Sequence, residues 1–319
     1  MALLELKNVT KQYPKSSKGL LKTNLLIKKG AKTAIIGETG SGKSTLLRLM
    51  AGLEQADTGS ILFKGTKVRG PEDQLVPGHA EIAYLSQHFE LPRFITIEQY
   101  LYDPYEITLE DAHKTYTACR ITHLLDADTG QLSGGERQRV ALAKAIIKSP
   151  EILLLDEPFS NLDLSHKRII KEVIFDLEKE LDSTIVLVSH DPLDVLAWAD
   201  EIVVLKAGKI IQKAMPLEVY NHPIDEHTAG LFGSFNLINP TDWGLSINHI
   251  NNRKGKVIIR PERFQLSKSV KGVKGKVIRT MYFGSYDEVF VETNKDSIVV
   301  KAEAGLFQSG DQVAVSLKK

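Results

Sequence analysis

The chain has 319 residues, of which 42% are hydrophobic and 25% charged, and its formal net charge is +1. That length suffices for two domains with their own cores, and the near-neutral charge argues against a protein that binds nucleic acid or lipid over its whole surface. The single cysteine, Cys119, excludes an intrachain disulfide and is typical of a reducing compartment. We expect neither a signal peptide nor a membrane-spanning segment, because the sequence has no basic start followed by an apolar run and no apolar stretch of about 18 residues.

A glycine-rich loop lies between the first predicted elements. Residues 3–9 alternate apolar and polar side chains, which predicts a half-buried strand. Residues 32–37 predict a second strand, and the spacing over residues 44–51 predicts a helix that stops at Gly52. Strand, loop and helix in this order are what a phosphate-binding loop requires. The loop consists of Gly37, Glu38, Thr39, Gly40, Ser41, Gly42, Lys43, Ser44 and Thr45.

The residue types of this loop suit a nucleotide phosphate. Glycines let consecutive backbone N–H groups turn towards phosphate oxygens at the positive end of the following helix. We expect Lys43 to reach the β- and γ-phosphates and the Ser44 hydroxyl to bind Mg²⁺.

The middle of the chain combines a helical insertion with a second candidate anion site. Weak helical periodicity over residues 109–125 belongs to an inserted helical subdomain predicted for about residues 88–150. Ser133 opens a predicted helix over residues 136–148 and forms a capping box with Glu136. The N–H groups at this helix start also suit an anion.

Two short apolar runs, residues 152–155 and 184–188, predict central strands of a parallel sheet. A helical pattern over residues 165–181 separates them, so the first domain is predicted to be α/β with a mostly parallel sheet. Asp156 ends the first of these strands, where a carboxylate suits Mg²⁺. Glu157 follows it and can act as a general base towards water.

After a hairpin that turns at Ala207 and Gly208, the pattern changes to short strands with polar turns. We therefore predict an α/β domain over residues 1–233 and a small all-β domain over residues 234–319. Residues 253–279 hold ten basic residues and one acidic residue, Glu262. An RNA-binding groove would need interleaved aromatic rings, so we interpret this stretch as a solvated strand face and predict no nucleic-acid partner.

Four motifs in one order resemble the ATPase subunit of an ATP-binding cassette (ABC) transporter. They are the loop at residues 37–45, the segments 132–138 and 152–157, and Val188-Ser189-His190. The resemblance implies a P-loop NTPase core that uses ATP and Mg²⁺, with Lys43, Glu157 and His190 as catalytic residues.

The same resemblance assigns roles to the remaining motif residues. Gln87 matches the glutamine that binds Mg²⁺ or water, so Ser44, Gln87 and Asp156 are the expected metal ligands. Tyr13 matches the aromatic residue that stacks on adenine. The signature residues Ser133, Gly134, Gly135 and Gln138 are expected to face the nucleotide of a partner chain, and Asp163 to lie in the loop that crosses the dimer interface.

A second resemblance covers the C-terminal part. Residues 257–262 and 280–292 resemble a TOBE domain, an oligonucleotide-binding-like (OB-like) barrel found on ATPases of importers for sugars, polyamines, ferric iron and oxyanions. The implied protein is a homodimeric ATPase at the cytoplasmic face of the cell membrane, which powers solute import through permease subunits fed by an external solute-binding protein. The groove for the permease is expected at Phe89, Leu91, Phe94 and Ile95.

Two other functions compete with this interpretation. A soluble ABC ATPase of DNA repair would need long coiled coils, and no sustained heptads occur, while the translation type usually carries two ATPase units. A nucleotide-gated regulator without hydrolysis would not need Glu157 and His190.

Overall fold

The computed structural model describes residues 2–14, 16–88, 90–160, 162–181, 183–244, 255–268 and 272–318. The chain forms two compact units, Met1–Pro216 and Leu217–Lys319. The predicted domain boundary after Gly233 differs from this division by two short helices. Among the described residues, no helix is long and apolar enough to cross a membrane.

The first unit contains ten strands and six helices among its described residues. The strands are β1 (Ala2–Tyr13), β2 (Ser16–Lys28), β3 (Lys32–Ile36), β4 (Thr58–Phe63), β5 (Thr66–Lys67), β6 (Ile82–Leu85), β7 (Ile152–Asp156), β8 (Thr184–Val188), β9 (Glu201–Lys206) and β10 (Lys209–Ala214). The helices are α1 (Lys43–Met50), α2 (Ile97–Leu101), α3 (Leu109–Ala118), α4 (Gly134–Ile146), α5 (Leu164–Leu181) and α6 (Pro192–Leu196).

A six-stranded sheet forms the centre of this unit, in the order β10-β9-β3-β8-β7-β6. Its neighbours are parallel except for the hairpin of β9 and β10, which confirms the predicted fold class. Every residue of β7 and β8 is buried, as expected for strands covered on both faces. The carboxyl ends of β3, β6, β7 and β8 meet at one edge, and this edge carries the candidate site.

A second sheet, β2-β1-β4-β5, is antiparallel, and only β1 was predicted from the sequence. Its side chains share a core with α1: Leu4 and Leu6 of β1, Phe63 of β4 and Leu46 of α1 are all at most 2% exposed. This packing fixes the start of α1, and with it the glycine-rich loop.

The helices of the predicted insertion are capped by their own sequence. The hydroxyl of Thr96 accepts from the N–H of Gln99 at the start of α2, and that of Thr108 accepts from the N–H of Asp111 at the start of α3. Cys119, at the end of α3, is fully buried, as expected for a small apolar residue.

The second unit is an all-β fold preceded by two helices. Its elements are α7 (Pro216–Asn221), α8 (Glu226–Leu231), β11 (Asn236–Ile238), β12 (Val257–Ile259), β13 (Phe264–Ser267), β14 (Val273–Tyr282), β15 (Tyr286–Thr293), β16 (Ser297–Glu303) and β17 (Gln312–Leu317). The antiparallel sheet β13-β17-β14-β15-β16 curls until its outer strands β13 and β16 touch. This nearly closed barrel agrees with the predicted OB-like domain.

The basic stretch of this unit is only partly a solvated face. Lys274 and Lys276 are exposed on β14, as predicted, whereas Arg260 is 3% exposed. The Arg260 guanidinium donates to the carbonyls of Tyr220 and Ala229 at 3.0 Å each. Arg260 therefore joins the helices α7 and α8 to the end of β12, and burial lowers its pKa. Arg253, Lys254 and Lys271 lie outside the described residues.

Candidate functional site

The glycine-rich loop connects β3 to α1 in a backbone path that side chains would block. A Cβ atom on Gly37 would lie 2.1 Å from the carbonyl oxygen of Leu205. Gly42 has φ of 105°, and a Cβ there would lie 2.9 Å from the carbonyl oxygen of Gly19. Glycine is therefore required at both positions. The loop tip, Glu38 to Gly40, is exposed, whereas Ser41 is buried and its hydroxyl has no partner among the described residues.

Lys43 folds back onto the loop that carries it. Its ammonium donates to the carbonyl oxygens of Gly37 at 2.8 Å and Glu38 at 2.9 Å. Burial lowers the pKa of Lys43, although the carboxylates of Glu157 and Asp156 act in the opposite direction. The ammonium is thus already desolvated at the place where phosphate oxygens are expected.

Tyr13 lies beside the first turn of α1. Its hydroxyl is 3.3 Å from the Thr45 hydroxyl and 3.3 Å from a carboxylate oxygen of Glu54. The aromatic ring is half-buried. The structure thus brings Tyr13 next to the loop, while its stacking on adenine stays a prediction.

Asp156 is buried at the end of β7, and its two carboxylate oxygens differ. Oδ2 accepts a hydrogen bond from the Tyr84 hydroxyl at 3.1 Å, while Oδ1 has no partner among the described residues. Burial raises the pKa of Asp156, and the charge of Glu157 adds to this effect. The Ser44 and Tyr84 hydroxyls and the charge of Lys43 act in the opposite direction, but the pKa stays raised. Burial also raises the pKa of Tyr84 to about 12, so its hydroxyl stays a donor at neutral pH.

Glu157 brings two other segments together. Its Oε2 accepts from Nε2 of Gln87 at 3.3 Å and lies 3.1 Å from Nδ1 of His190. Glu157 also has φ of 50°, a left-handed conformation that costs a non-glycine residue about 1 kcal/mol or more. Because its N–H bonds to the carbonyl of Val188 at 3.0 Å, the neighbouring strand β8 holds this turn in place.

The oxygen atoms here fit Mg²⁺, which prefers one or two carboxylates completed by phosphate and water oxygens. The unpaired Oδ1 of Asp156 and the hydroxyl of Ser44 supply hard ligands, and Gln87 has an amide oxygen nearby. Within the described ranges, no group of three or more His, Cys, Asp or Glu residues could hold a metal alone. A magnesium ion would therefore depend on the nucleotide for the rest of its coordination.

The signature residues start α4, and they differ in exposure. Ser133 accepts from the N–H of Glu136 and is exposed together with Gly134, so this end of the helix faces outwards. Gly135 is buried. The ring of His166 packs so close to it that a Cβ atom on Gly135 would lie 2.2 Å from this ring. Gln138 is also buried, and it donates to the carbonyl of Pro158 in its own chain. The described contacts of Gln138 are thus within the chain, and its contact with a partner nucleotide stays a prediction.

Asp163 caps the start of α5. Its Oδ1 accepts from the N–H of His166 at 2.9 Å, and its Oδ2 lies 2.7 Å from the ring nitrogen of His166. The Ser165 hydroxyl, followed by these His166 contacts, lowers the pKa of Asp163. The side chain is 62% exposed, so its place at a dimer interface stays a prediction.

A cleft of about 830 Å³ lies beside this edge and is open to the surface. Gln87, Leu91, Phe94 and Gly134 all line it, whereas Ile95 does not contribute to the lining. Phe94 is 89% exposed. Phe89, also expected in the permease groove, lies outside the described residues.

Sequence reasoning missed two groups of polar side chains around the site. Tyr84 contacts Asp156 from β6. The surrounding apolar residues gave no indication that this side chain belongs to the site. Lys167 of α5 pairs with Asp191 and Asp194, which follow His190. Lys167 lies on the predicted helix over residues 165–181, and the helical pattern did not indicate which side chains it would contact.

Comparison with known proteins agrees with this geometry. An ABC transporter family model matches residues 20–160, and a TOBE domain model matches residues 257–319. The spermidine/putrescine import ATP-binding protein PotA of Spiroplasma citri is 32% identical, with 98% of this chain and 95% of PotA covered. The sulfate/thiosulfate import ATP-binding protein CysA of Synechocystis sp. is 34% identical, with 89% and 83% covered.

Solved structures with a similar fold are also ATP-binding cassettes. The structure of cbiO1 from Clostridium perfringens, part of the ABC transporter complex cbiONQ, superposes with a TM-score of 0.59 at 27% identity, covering 68% of this chain and 90% of cbiO1. A dimeric ATP-binding cassette bound to ADP and Pi gives a TM-score of 0.58 at 27% identity, covering 67% of this chain and 99% of that one. The chain belongs to the ATPase subunits of ABC transporters, in the group of import ATP-binding proteins with a TOBE domain.

Proposed function

We propose that the chain hydrolyses Mg²⁺-ATP as a homodimer and that this hydrolysis powers solute import through a membrane permease. The observation that carries the proposal is the convergence on Glu157. Its carboxylate, held by Gln87 and His190, lies at the sheet edge that also carries a complete phosphate loop.

In the proposed reaction, Glu157 takes a proton from the attacking water, which general-base catalysis requires. Gln87 and His190 both approach Oε2, which supports a fixed orientation of the carboxylate. Lys43 and the backbone N–H groups of the loop stabilise the charge on the phosphates. Ser44, Asp156 and Gln87 would hold Mg²⁺, which would neutralise charge on the phosphates.

The homodimer is supported by two exposed motifs, at the starts of α4 and α5. Ser133 and Gly134 present the start of α4 outwards, where N–H groups and the helix dipole suit a γ-phosphate held by a second chain. Asp163 is exposed at the start of α5. One chain carries both half-sites, so two identical chains would complete two sites.

The partners follow from the family. The relatives are named as import ATP-binding proteins, and we propose a peripheral position at the cytoplasmic face of the membrane, with an external solute-binding protein feeding the permease. The cleft lined by Gln87 and Phe94 is the proposed permease contact, because a segment seated there would touch the residue that holds Glu157. The named cargoes of relatives include polyamines, sulfate and ferric ions, so the cargo of this chain stays open.

Glu157→Gln tests this proposal. It should slow ATP hydrolysis by about 10²- to 10⁴-fold while ATP binding persists, because only the base is removed. The stalled protein should elute as a dimer with ATP and Mg²⁺ in size-exclusion chromatography. The matched control is Glu151→Gln, which changes a partly exposed carboxylate paired with Lys64 just before β7. A Glu157→Gln protein that turns over at the rate of the control would refute the proposed base.

A further inference from the structure

Two lysines of α5 and two aspartates that follow His190 form a charged cluster beside the site. The Asp194 side chain is 2% exposed, and its Oδ1 lies 2.7 Å from Nζ of Lys167 and 2.8 Å from Nζ of Lys171. A buried carboxylate is strongly destabilising without cationic partners, so these ion pairs hold α6 against α5.

Of the two lysines, Lys167 forms a second ion pair in addition to the one with Asp194. Lys167 Nζ also lies 2.6 Å from Oδ2 of Asp191, whereas Lys171 has no such contact within the described residues. Asp191 is the residue directly after His190, so Lys167 contacts the His190 loop directly, whereas Lys171 reaches it through Asp194 and acts on Asp191 only through its charge. The other neighbour of Lys171 is the ring of Phe159, 5.6 Å away.

The cluster fixes the backbone on both sides of His190. The Ser189 hydroxyl donates to Oδ2 of Asp194 at 3.1 Å and accepts from the N–H of Asp191 at 3.1 Å. The Oδ1 of Asp191 accepts from the N–H of Leu193 at 2.9 Å, which caps α6. His190 itself is 62% exposed, so the positions of Ser189 and Asp191 determine where its ring can lie.

Lys167 also lies one turn from the exposed Asp163. Its N–H donates to the carbonyl of Asp163 at 2.9 Å in the first turn of α5. The side chain of Lys167 is 20% exposed, and both of its ion pairs link α5 to the segment that follows His190. A displacement of the start of α5 would therefore act on the His190 loop through Lys167, which contacts Asp191 directly.

We propose that Lys167 is a positioning residue that couples the Asp163 end of α5 to His190. The inference rests on the proposed role of His190 at the γ-phosphate. Hydrolysis then depends on the ion pair between Lys167 and Asp191, while nucleotide binding at the loop of residues 37–45 does not.

The charge states agree with this arrangement. Burial lowers the pKa of Lys167, but Asp191 and Asp194 outweigh it and leave that pKa raised. Burial raises the pKa of Asp191, but Lys167 and the N–H of Leu193 outweigh it and leave that pKa lowered. Both partners are thus charged at neutral pH.

Lys167→Met and Lys171→Met form a matched pair for the test. Each removes one of the two cations of Asp194, so both should lower the thermal stability, and Lys167→Met should lower it more because it also removes the ion pair with Asp191. Only Lys167→Met breaks the contact with Asp191. We expect its kcat to fall about 10-fold, with KM for ATP within about twofold, while Lys171→Met keeps kcat within about twofold.

Two further variants protect the test against a folding defect. Asp191→Asn removes the ion pair but keeps an oxygen for the N–H of Leu193 and leaves Asp194 with both lysines, so kcat should fall with a smaller loss of stability than in Lys167→Met. Lys167→Arg keeps the charge and can reach both carboxylates, so it should restore most of kcat. If Asp191→Asn retains full kcat, or if Lys171→Met loses as much kcat as Lys167→Met, the proposal is overturned.

His190→Ala separates this inference from the proposed function. If His190→Ala is inactive and Lys167→Met is fully active, only the inference about Lys167 fails. If His190→Ala hydrolyses ATP at the normal rate, the proposed role of His190 fails, and the inference fails with it.

Discussion

Tyr84→Phe removes a single oxygen atom from the site and should weaken Mg²⁺ binding. The Tyr84 hydroxyl donates to Oδ2 of Asp156 at 3.1 Å and leaves Oδ1 directed to the proposed metal position. Without this donor, the buried carboxylate can rotate, and its charge loses one of the groups that stabilise it. The phenyl ring still fills the space of the tyrosine ring between β6 and β7.

The magnitude follows from the kind of bond that is lost. A hydrogen bond to a charged group contributes about 1.5–3 kcal/mol, and loss of a partner that orients a metal ligand typically costs about 10- to 100-fold in metal affinity. These two estimates agree, because 1.4 kcal/mol corresponds to about tenfold. We therefore expect the Mg²⁺ concentration for half-maximal activity to rise about 10- to 100-fold in Tyr84→Phe.

The assay has a binding arm and a kinetic arm. Binding of a fluorescent ATP analogue is measured across a Mg²⁺ titration and again with EDTA, and hydrolysis is measured over the same Mg²⁺ range. Affinity in EDTA should be unchanged, since Lys43 and the loop are intact. The control is Tyr13→Phe, which removes a hydroxyl near Thr45 and Glu54 but keeps the ring. It should leave the Mg²⁺ requirement as it is.

The pH dependence gives a second, independent readout. The Tyr84 hydroxyl is among the groups that lower the pKa of Asp156, against burial and Glu157. Its removal should raise that pKa further and move the acid limb of the rate profile to higher pH. An unchanged Mg²⁺ requirement together with an unchanged acid limb would show that Tyr84 does not orient Asp156.

Two further substitutions test the energetics of the site. Asp156→Asn should abolish hydrolysis but raise the melting temperature of the nucleotide-free protein at pH 7. The reason is that the pKa of Asp156 is raised in the folded state. Ionisation of Asp156 therefore lowers the stability of the fold as pH rises above the unfolded pKa of about 3.9. The difference between the two melting temperatures should vanish below that pH, and a variant no more stable than wild type at pH 7 would contradict this. Gly135→Ala should destabilise by about 1–3 kcal/mol in denaturant unfolding, because its Cβ would lie 2.2 Å from the His166 ring. In a His166→Ala background the penalty should be smaller, because the ring is gone and only the Cβ of residue 166 remains, 3.0 Å from the added methyl group; an equal penalty in both backgrounds would show that the His166 ring is not the obstacle.

The candidate site was largely predictable because its residues stand at strand ends. Parallel strands bring their carboxyl ends to one edge, so the residues after β3, β7 and β8 had to lie close together once the sheet was predicted. Lys43, Glu157 and His190 follow this rule directly. The phosphate contact of Lys43 and the general-base capacity of Glu157 followed from the residue types and their places, whereas the role of His190 came from the family resemblance.

Contacts between side chains of different helices and strands could not be predicted from the sequence. The pairing of Lys167 with Asp191 depends on the rotation of α5 about its axis, which the tertiary packing sets. The antiparallel sheet was missed because β2 runs Leu-Leu-Lys-Thr-Asn-Leu-Leu, where the alternation expected of a half-buried strand is broken. Burial of Arg260 was equally hidden, because its compensation comes from backbone carbonyls of α7 and α8.

The contacts of Lys43 with its own loop bear on how the loop binds phosphate. Its ammonium is buried and bonded to the carbonyls of Gly37 and Glu38, so the cost of removing it from water belongs to folding and not to binding. A phosphate oxygen needs only to compete with two neutral carbonyl acceptors, and a charged acceptor forms the stronger bond. The loop therefore presents a preorganised cation, and part of the folding free energy of the first unit supports the affinity for nucleotide.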